Sequence, residues 1–114
     1  MKFLVIGRDI GYGGPVDPAQ VAGIVENVYI RSFQTIEKWE KEGKAIGGGF
    51  AGQRSGAFII EASSAEELSG KLRSLPFWAV VNWEVHPLQT FHSIIEDSEH
   101  QVASLKQMAA MMQH

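Results

Sequence analysis

Residues 75–88 read LPFWAVVNWEVHPL. The run has enough apolar bulk for a core strand, and side chains two residues apart on a strand share a face. Val81, Trp83 and Val85 therefore form one row, and Asn82, Glu84 and His86 form the other. The apolar row asks for helices packed against it, which leaves the polar row pointing away from them. Leu75 and Pro76 belong to the end of a preceding helix, because proline disfavours helical backbone in the residue before it. The strand itself is expected over Trp78 to Val85.

Upstream, Ser64 opens that helix: SAEE at 64–67 is an N-cap with glutamate three positions on, and Leu68, Leu72 and Leu75 lie on one face. Before it, AIGGGFAGQRSGAFIIEA at 45–62 predicts two strands joined around Gly52 to Gly56, the second running from Ala57 to Ala62. From about Ala19 to Glu42 the positions Val21, Val25, Val28, Ser32, Ile36 and Trp39 recur at helical spacing. Asp17 and Pro18 suit the start of that helix and Gly43 its end. KFLVIG at 2–7 is a first strand, and GYGGPVDP at 11–18 is a loop by its glycines and prolines.

The order is strand, helix, strand, strand, helix, strand, the ferredoxin-like α+β pattern β-α-β-β-α-β. Two helices then cover one face of a four-stranded antiparallel sheet. The other face carries apolar as well as polar side chains and calls for a second subunit, so a homodimer forming an α+β barrel is expected. Residues 1–91 make this domain, and residues 92–114 make a C-terminal helical arm, with a helix from about Glu96 to Met111. Val102, Leu105, Met108, Ala109 and Met112 share one side of it, as in an arm packed on a neighbour.

A chain of 114 residues with 45% hydrophobic composition fits one domain with a real core. The absence of cysteine excludes disulfides, a thiolate nucleophile and a thiolate metal site. A net charge of -3 without a dominant basic run gives no reason to expect nucleic acid as a partner. The apolar FLVI run breaks at Gly7-Arg8-Asp9 without a cleavage pattern, and no run is long enough to span a membrane. A soluble cytoplasmic protein is the expectation.

Histidine exchanges a proton near neutral pH and glutamate can orient it or act as a base, so His86 and Glu84 are the candidate catalytic pair. Asn82, in the same row, is a candidate to stabilise a developing oxyanion. Arg54, central in GQRSG, can grip a carboxylate through two parallel hydrogen bonds. Tyr29 and Phe33 can form an aromatic pocket wall, and Arg8 and Asp9 can rim a cavity at the end of the first strand. Trp39, Phe77, Trp78 and Trp83 read as structural anchors. GGGF lacks the lysine and spacing of a phosphate-binding loop, no GxGxxG follows a strand, and His86, His92, His100 and His114 lack HExxH spacing. Neither a cofactor nor a metal is therefore expected.

WEKEGK at 39–44, the glycine-rich hairpin leading into FIIEASSAEEL, LRSLPFW at 72–78 and NWEVHPL at 82–88 together resemble the muconolactone isomerase family, within the dimeric α+β barrel superfamily. The resemblance implies sheets paired face to face and an activity that moves a double bond in an unsaturated lactone during breakdown of aromatic compounds, without metal or organic cofactor. It places Glu84 and His86-Pro87 near the expected cleft. The GYGGPVDPAQVAG loop and the tail after Phe91 depart from the family pattern. The leading expectation is a cofactor-independent isomerase or lyase acting on a small lactone or unsaturated cyclic carbonyl compound. The alternatives are a cofactor-free monooxygenase or cyclase of an aromatic or polyketide pathway, and a non-enzymatic binding or assembly subunit.

Overall fold

The computed structural model describes residues 1–11, 14 and 17–113. Half of the loop expected over GYGGPVDP, and His114, lie outside the described residues. Four strands, β1 (Lys2–Asp9), β2 (Ala45–Gly49), β3 (Ser55–Glu61) and β4 (Val81–Leu88), form one antiparallel sheet in the order β2-β3-β1-β4. This is the α+β arrangement that the order of elements predicts.

The first helical stretch opens at α1 (Pro18–Ile24), where Asp17 accepts from the Gln20 amide and the Gln20 side chain returns the bond to the Asp17 amide. It continues through a π-helical segment, Val25–Ile30, into α2 (Arg31–Lys41). The hydrophobic spacing gave no sign of that wider turn. Gly43 ends the helix with φ 73°, a left-handed conformation in which a Cβ is costly. In α3 (Ala65–Arg73) Ser64 accepts from the Glu67 amide. Glu67 reaches back to the amide and hydroxyl of Ser63 instead of the Ser64 amide, one residue outside the reciprocal capping box.

The core lies between the sheet and the helices. Phe3 and Val5 of β1 stand opposite Ile60 and Phe58 of β3 on the helix-facing side, where Trp39, Leu68, Leu72, Leu75 and Phe77 close over them. Ser32 is fully buried and fully used: its hydroxyl donates to the Val28 carbonyl at 2.6 Å and accepts from the Phe77 amide at 3.0 Å. That pair of bonds ties α2 to the turn leaving α3.

Several boundaries differ from expectation. Trp78–Val80 is a 3₁₀ turn, held by the Trp78 amide on the Leu75 carbonyl and the Val80 amide on Phe77, so β4 starts only at Val81. It then runs through His86 and Pro87 to Leu88. Pro87 is tolerated because β4 is an edge strand and pairs only with β1. The C-terminal helix α4 (Phe91–Met112) also begins earlier than expected, because Thr90 accepts from the Ser93 amide and caps it there. None of its residues is buried, and the described chain is drawn out to 78 × 31 × 26 Å.

Candidate active site

One row across the sheet explains where space is left. Gly49 of β2 stands opposite Gly56 of β3, Gly56 opposite Gly7 of β1, and Gly7 opposite Trp83 of β4. These positions share the parity of Phe58 and Val5, so they face the helices, but three neighbours in the row have no side chain to offer. The packing that fills the other end of this face is missing here, and a cavity of about 590 Å³ opens between sheet and helices. This size lies within the range of small-molecule sites. The strands are drawn tightly together beneath it: a Cβ on Gly47 would fall 2.2 Å from the Ala57 carbonyl oxygen.

The helix side of the cavity is apolar. Val21, Val25, Tyr29, Phe33 and Ile36 line it. Phe77 is the hub of its aromatic wall, with ring centroids 6.1 Å from Tyr29, 5.4 Å from Phe33 and 5.8 Å from Trp83, all edge-to-face. Trp83 is fixed in turn by its indole N–H, which donates to the Trp78 carbonyl at 3.1 Å. The π-helical segment delivers Tyr29 to this wall, a placement in keeping with the frequent occurrence of such widened turns at functional sites.

Into this apolar space β1 delivers a carboxylate. Asp9 follows Phe3, Val5 and Gly7 on the inward row, and its side chain is only 8% exposed. Its Oδ1 accepts from the Tyr29 hydroxyl at 2.9 Å and from the Gly11 amide at 3.0 Å. The Arg54 guanidinium lies 4.0 Å from its Oδ2. The backbone joins the same two residues, with the Asp9 amide donating to the Arg54 carbonyl at 2.9 Å. One oxygen is thus held by two donors while the other stays within reach of a bound molecule. A nearly buried carboxylate so oriented can take and return a proton, and an exposed arginine beside it can hold an anionic group.

The residues singled out in the sequence divide between the two faces. Tyr29, Phe33 and Arg54 line the cavity. Arg8, Asn82, Glu84 and His86 lie on the opposite, open face, where Arg8 stands across from Asn82, Ile6 from Glu84 and Leu4 from His86. There His86 Nε2 lies 3.1 Å from Glu84 Oε2, with both side chains more than half exposed. Phe77 and Trp83, read as anchors, serve also as cavity wall. Among the described residues no cluster of acidic, histidine or cysteine side chains is arranged to hold a metal ion, and no helix is long and apolar enough to cross a membrane.

The sequence profile of the family described as muconolactone delta-isomerase matches residues 1–94. The chain belongs to that family. Solved structures share its fold, among them the following two. A muconolactone isomerase superposes with a TM-score of 0.64 at 21% identity, over 79% of this chain and 90% of that one. The 5-chloro-2-hydroxyhydroquinone dehydrochlorinase of Burkholderia phenoliruptrix AC1100, solved with 2,5-dihydroxybenzoquinone, superposes with a TM-score of 0.56 at 21% identity, over 82% and 98%. No curated protein sequence gives a match. The family profile stops at residue 94, near the start of α4.

Proposed function

We propose that this member of the muconolactone delta-isomerase family is an isomerase or lyase that moves a proton in a small lactone or unsaturated cyclic carbonyl compound, using its own side chains. The observation that carries the proposal is Asp9: a carboxylate 8% exposed at the wall of an apolar cavity, with one oxygen bound by Tyr29 and Gly11 and the other directed at Arg54. In the proposed step Oδ2 removes a proton from the γ-carbon of the α,β-unsaturated carbonyl compound. The electron pair spreads into a dienolate, and the Asp9 carboxyl, whose proton exchanges with solvent before it is delivered, protonates the α-carbon, so the double bond shifts without net change in composition. Arg54 holds a substrate carboxylate or the enolate charge, and the Phe77-centred aromatic wall excludes water. The lyase variant shares the first step, after which the dienolate expels a leaving group instead of being protonated. The dehydrochlorinase of the same fold supports keeping that variant.

Incubation with a panel of unsaturated lactones in D2O tests the reading. Incorporation of deuterium at the carbon that gains the proton, lost in Asp9→Asn with the fold intact by circular dichroism, is the expected result. Binding of a lactone without exchange or turnover would count against it. A second reading places chemistry at the Glu84–His86 pair, 3.1 Å apart on the open face. It requires a second copy to cover that face and enclose the pair, as Leu4, Ile6, Ile59 and Ile46 beside it favour, and it predicts that Glu84→Gln, not Asp9→Asn, abolishes exchange.

A further inference from the structure

Helix α4 is 22 residues long, about 33 Å at the usual rise, and none of its residues is buried. Among the described residues, side-chain hydrogen bonds tie it to the preceding residues near its start, where Gln89 donates to Ser93 and Asp97 and Thr90 accepts from the Ser93 amide. Yet Phe91, Ile94, Ile95, Val102, Leu105 and Met112 recur at heptad-like spacing and remain 41% or more exposed, Leu105 at 55% and Met112 at 83%. A solitary helix with such a stripe is short of the packing from which most helical stability comes.

We infer that α4 pairs antiparallel with α4 of a second copy of this chain. Three features name that occupant. The first is charge. Glu99 and Lys106 are seven residues apart and so lie on the same flank of the stripe. An antiparallel twofold brings like flanks together, so Glu99 faces Lys106 of the other helix twice over, whereas a parallel in-register pair would set Glu99 against Ile94. The second is shape. The antiparallel register that sets Val102 beside Leu105 of the other copy also sets Ile95 beside Met112 and Ser98 beside Ala109, large with large and small with small. The third is the one polar interruption of the stripe. The Ser98 hydroxyl already donates to the Ile94 carbonyl at 2.8 Å, so it can be buried against Ala109 without losing its bond. This helix lies almost wholly beyond the family match, so the seam would be an addition to whatever assembly the domain itself forms.

The chain has no cysteine, which makes the test unambiguous. Positions 98 and 109 are about 16 Å apart along one helix and cannot bridge within a chain. The full-length double variant Ser98→Cys/Ala109→Cys should form disulfide-linked dimers in high yield, and Ser98→Cys alone should not. Val102→Glu should lower the mass seen by sedimentation or raise the dissociation concentration at least tenfold. Lys106→Glu should do so more weakly, and Glu99→Lys added to it should restore assembly. Cross-linking by Ser98→Cys alone overturns the antiparallel pairing. A loss of mass in Val102→Glu with no cross-link in the double variant overturns helix-to-helix docking, and an unchanged mass with no cross-link overturns the inference entirely.

Discussion

Asp9 and Glu84 sit on neighbouring strands and look out of opposite sides of the same sheet. Asp9 is 8% exposed, fixed by a tyrosine hydroxyl and a backbone amide, and faces an apolar cavity. Glu84 is 58% exposed and meets a histidine that is itself mostly in solvent. Both are carboxylates with a basic neighbour, but water screens the second pair, and exposed pairs of that kind contribute about 0–1 kcal/mol. The contrast teaches that a catalytic-looking pair gains its power from surroundings that exclude water and hold the geometry. On the helix-facing side the chain itself supplies those surroundings; on the open side only another molecule would.

The strongest way to break this contrast is kinetic. With a turned-over lactone, Asp9→Asn is expected to lower kcat/KM by roughly 10²–10⁴-fold, the usual contribution of a positioned acid–base group, while Glu84→Gln changes it by less than about threefold. The reverse order would move the site to the open face. Stability offers the next comparison, between adjacent residues of β3. Ile60 is fully buried, so Ile60→Ala should cost about 2–5 kcal/mol in denaturant unfolding. Ile59, half-buried on the open face, should cost less than half as much, and a cost equal to that of Ile60 would mean that the open face is covered in solution.

The glycines of β2 sharpen the same division on a smaller scale. A Cβ at Gly47 meets the Ala57 carbonyl and the Phe58 Cα at 2.2 and 2.5 Å, both main-chain atoms that cannot turn aside. Gly47→Ala should therefore destabilise by about 1–3 kcal/mol, as overpacking does. A Cβ at Gly48, one residue on and facing the other way, meets nothing within 4 Å, so Gly48→Ala should leave the melting temperature unchanged or slightly raised. The smallest effect is expected at Glu67, far from both faces. The hydroxyl and then the amide of Ser63 hold its carboxyl below the usual glutamate value. A lowered folded-state value stabilises the fold above the unfolded value and ceases to do so as pH falls through the folded one. Glu67→Gln should lower the melting temperature slightly at neutral pH, with the difference vanishing in acid.

Much of the fold is legible because its punctuation is local. Asp17-Pro18, Gly43, Ser64 and Pro76 each end or begin an element through their own backbone chemistry, and the order of elements follows from them. What is not legible depends on contacts far apart in sequence. The π-helical segment keeps the same apolar spacing as an α-helix, so hydrophobic pattern alone cannot reveal it. Trp78–Val80 reads as strand because its side chains suit one; the carbonyls of Leu75 and Phe77 turn it instead. For the cavity, parity carries a signal. Phe3, Val5, Gly7 and Asp9 form one row, so alternation along β1 puts the Asp9 carboxylate on the helix-facing side and leaves Glu84 and His86 on the open one. That the row ends in open space could be known only once Gly7, Gly49 and Gly56 were seen side by side.

That bare row has a consequence for selectivity. Where a pocket floor is built of side chains, its depth changes only when a whole group is exchanged and its neighbours repack. Here the floor is main chain, and the room above it differs along the row: a Cβ at Gly49 meets nothing closer than 3.8 Å, whereas one at Gly56 falls 2.9 Å from the Gly48 carbonyl oxygen. Gly7 already sits 3.0 Å from Val81 and 3.2 Å from Trp83 at the point where its Cβ would be, so even one methyl there would tilt the indole. In the proposed reading, a single methyl at Gly49 would make the space above the floor shallower, while Asp9 and Arg54 at the rim stay untouched.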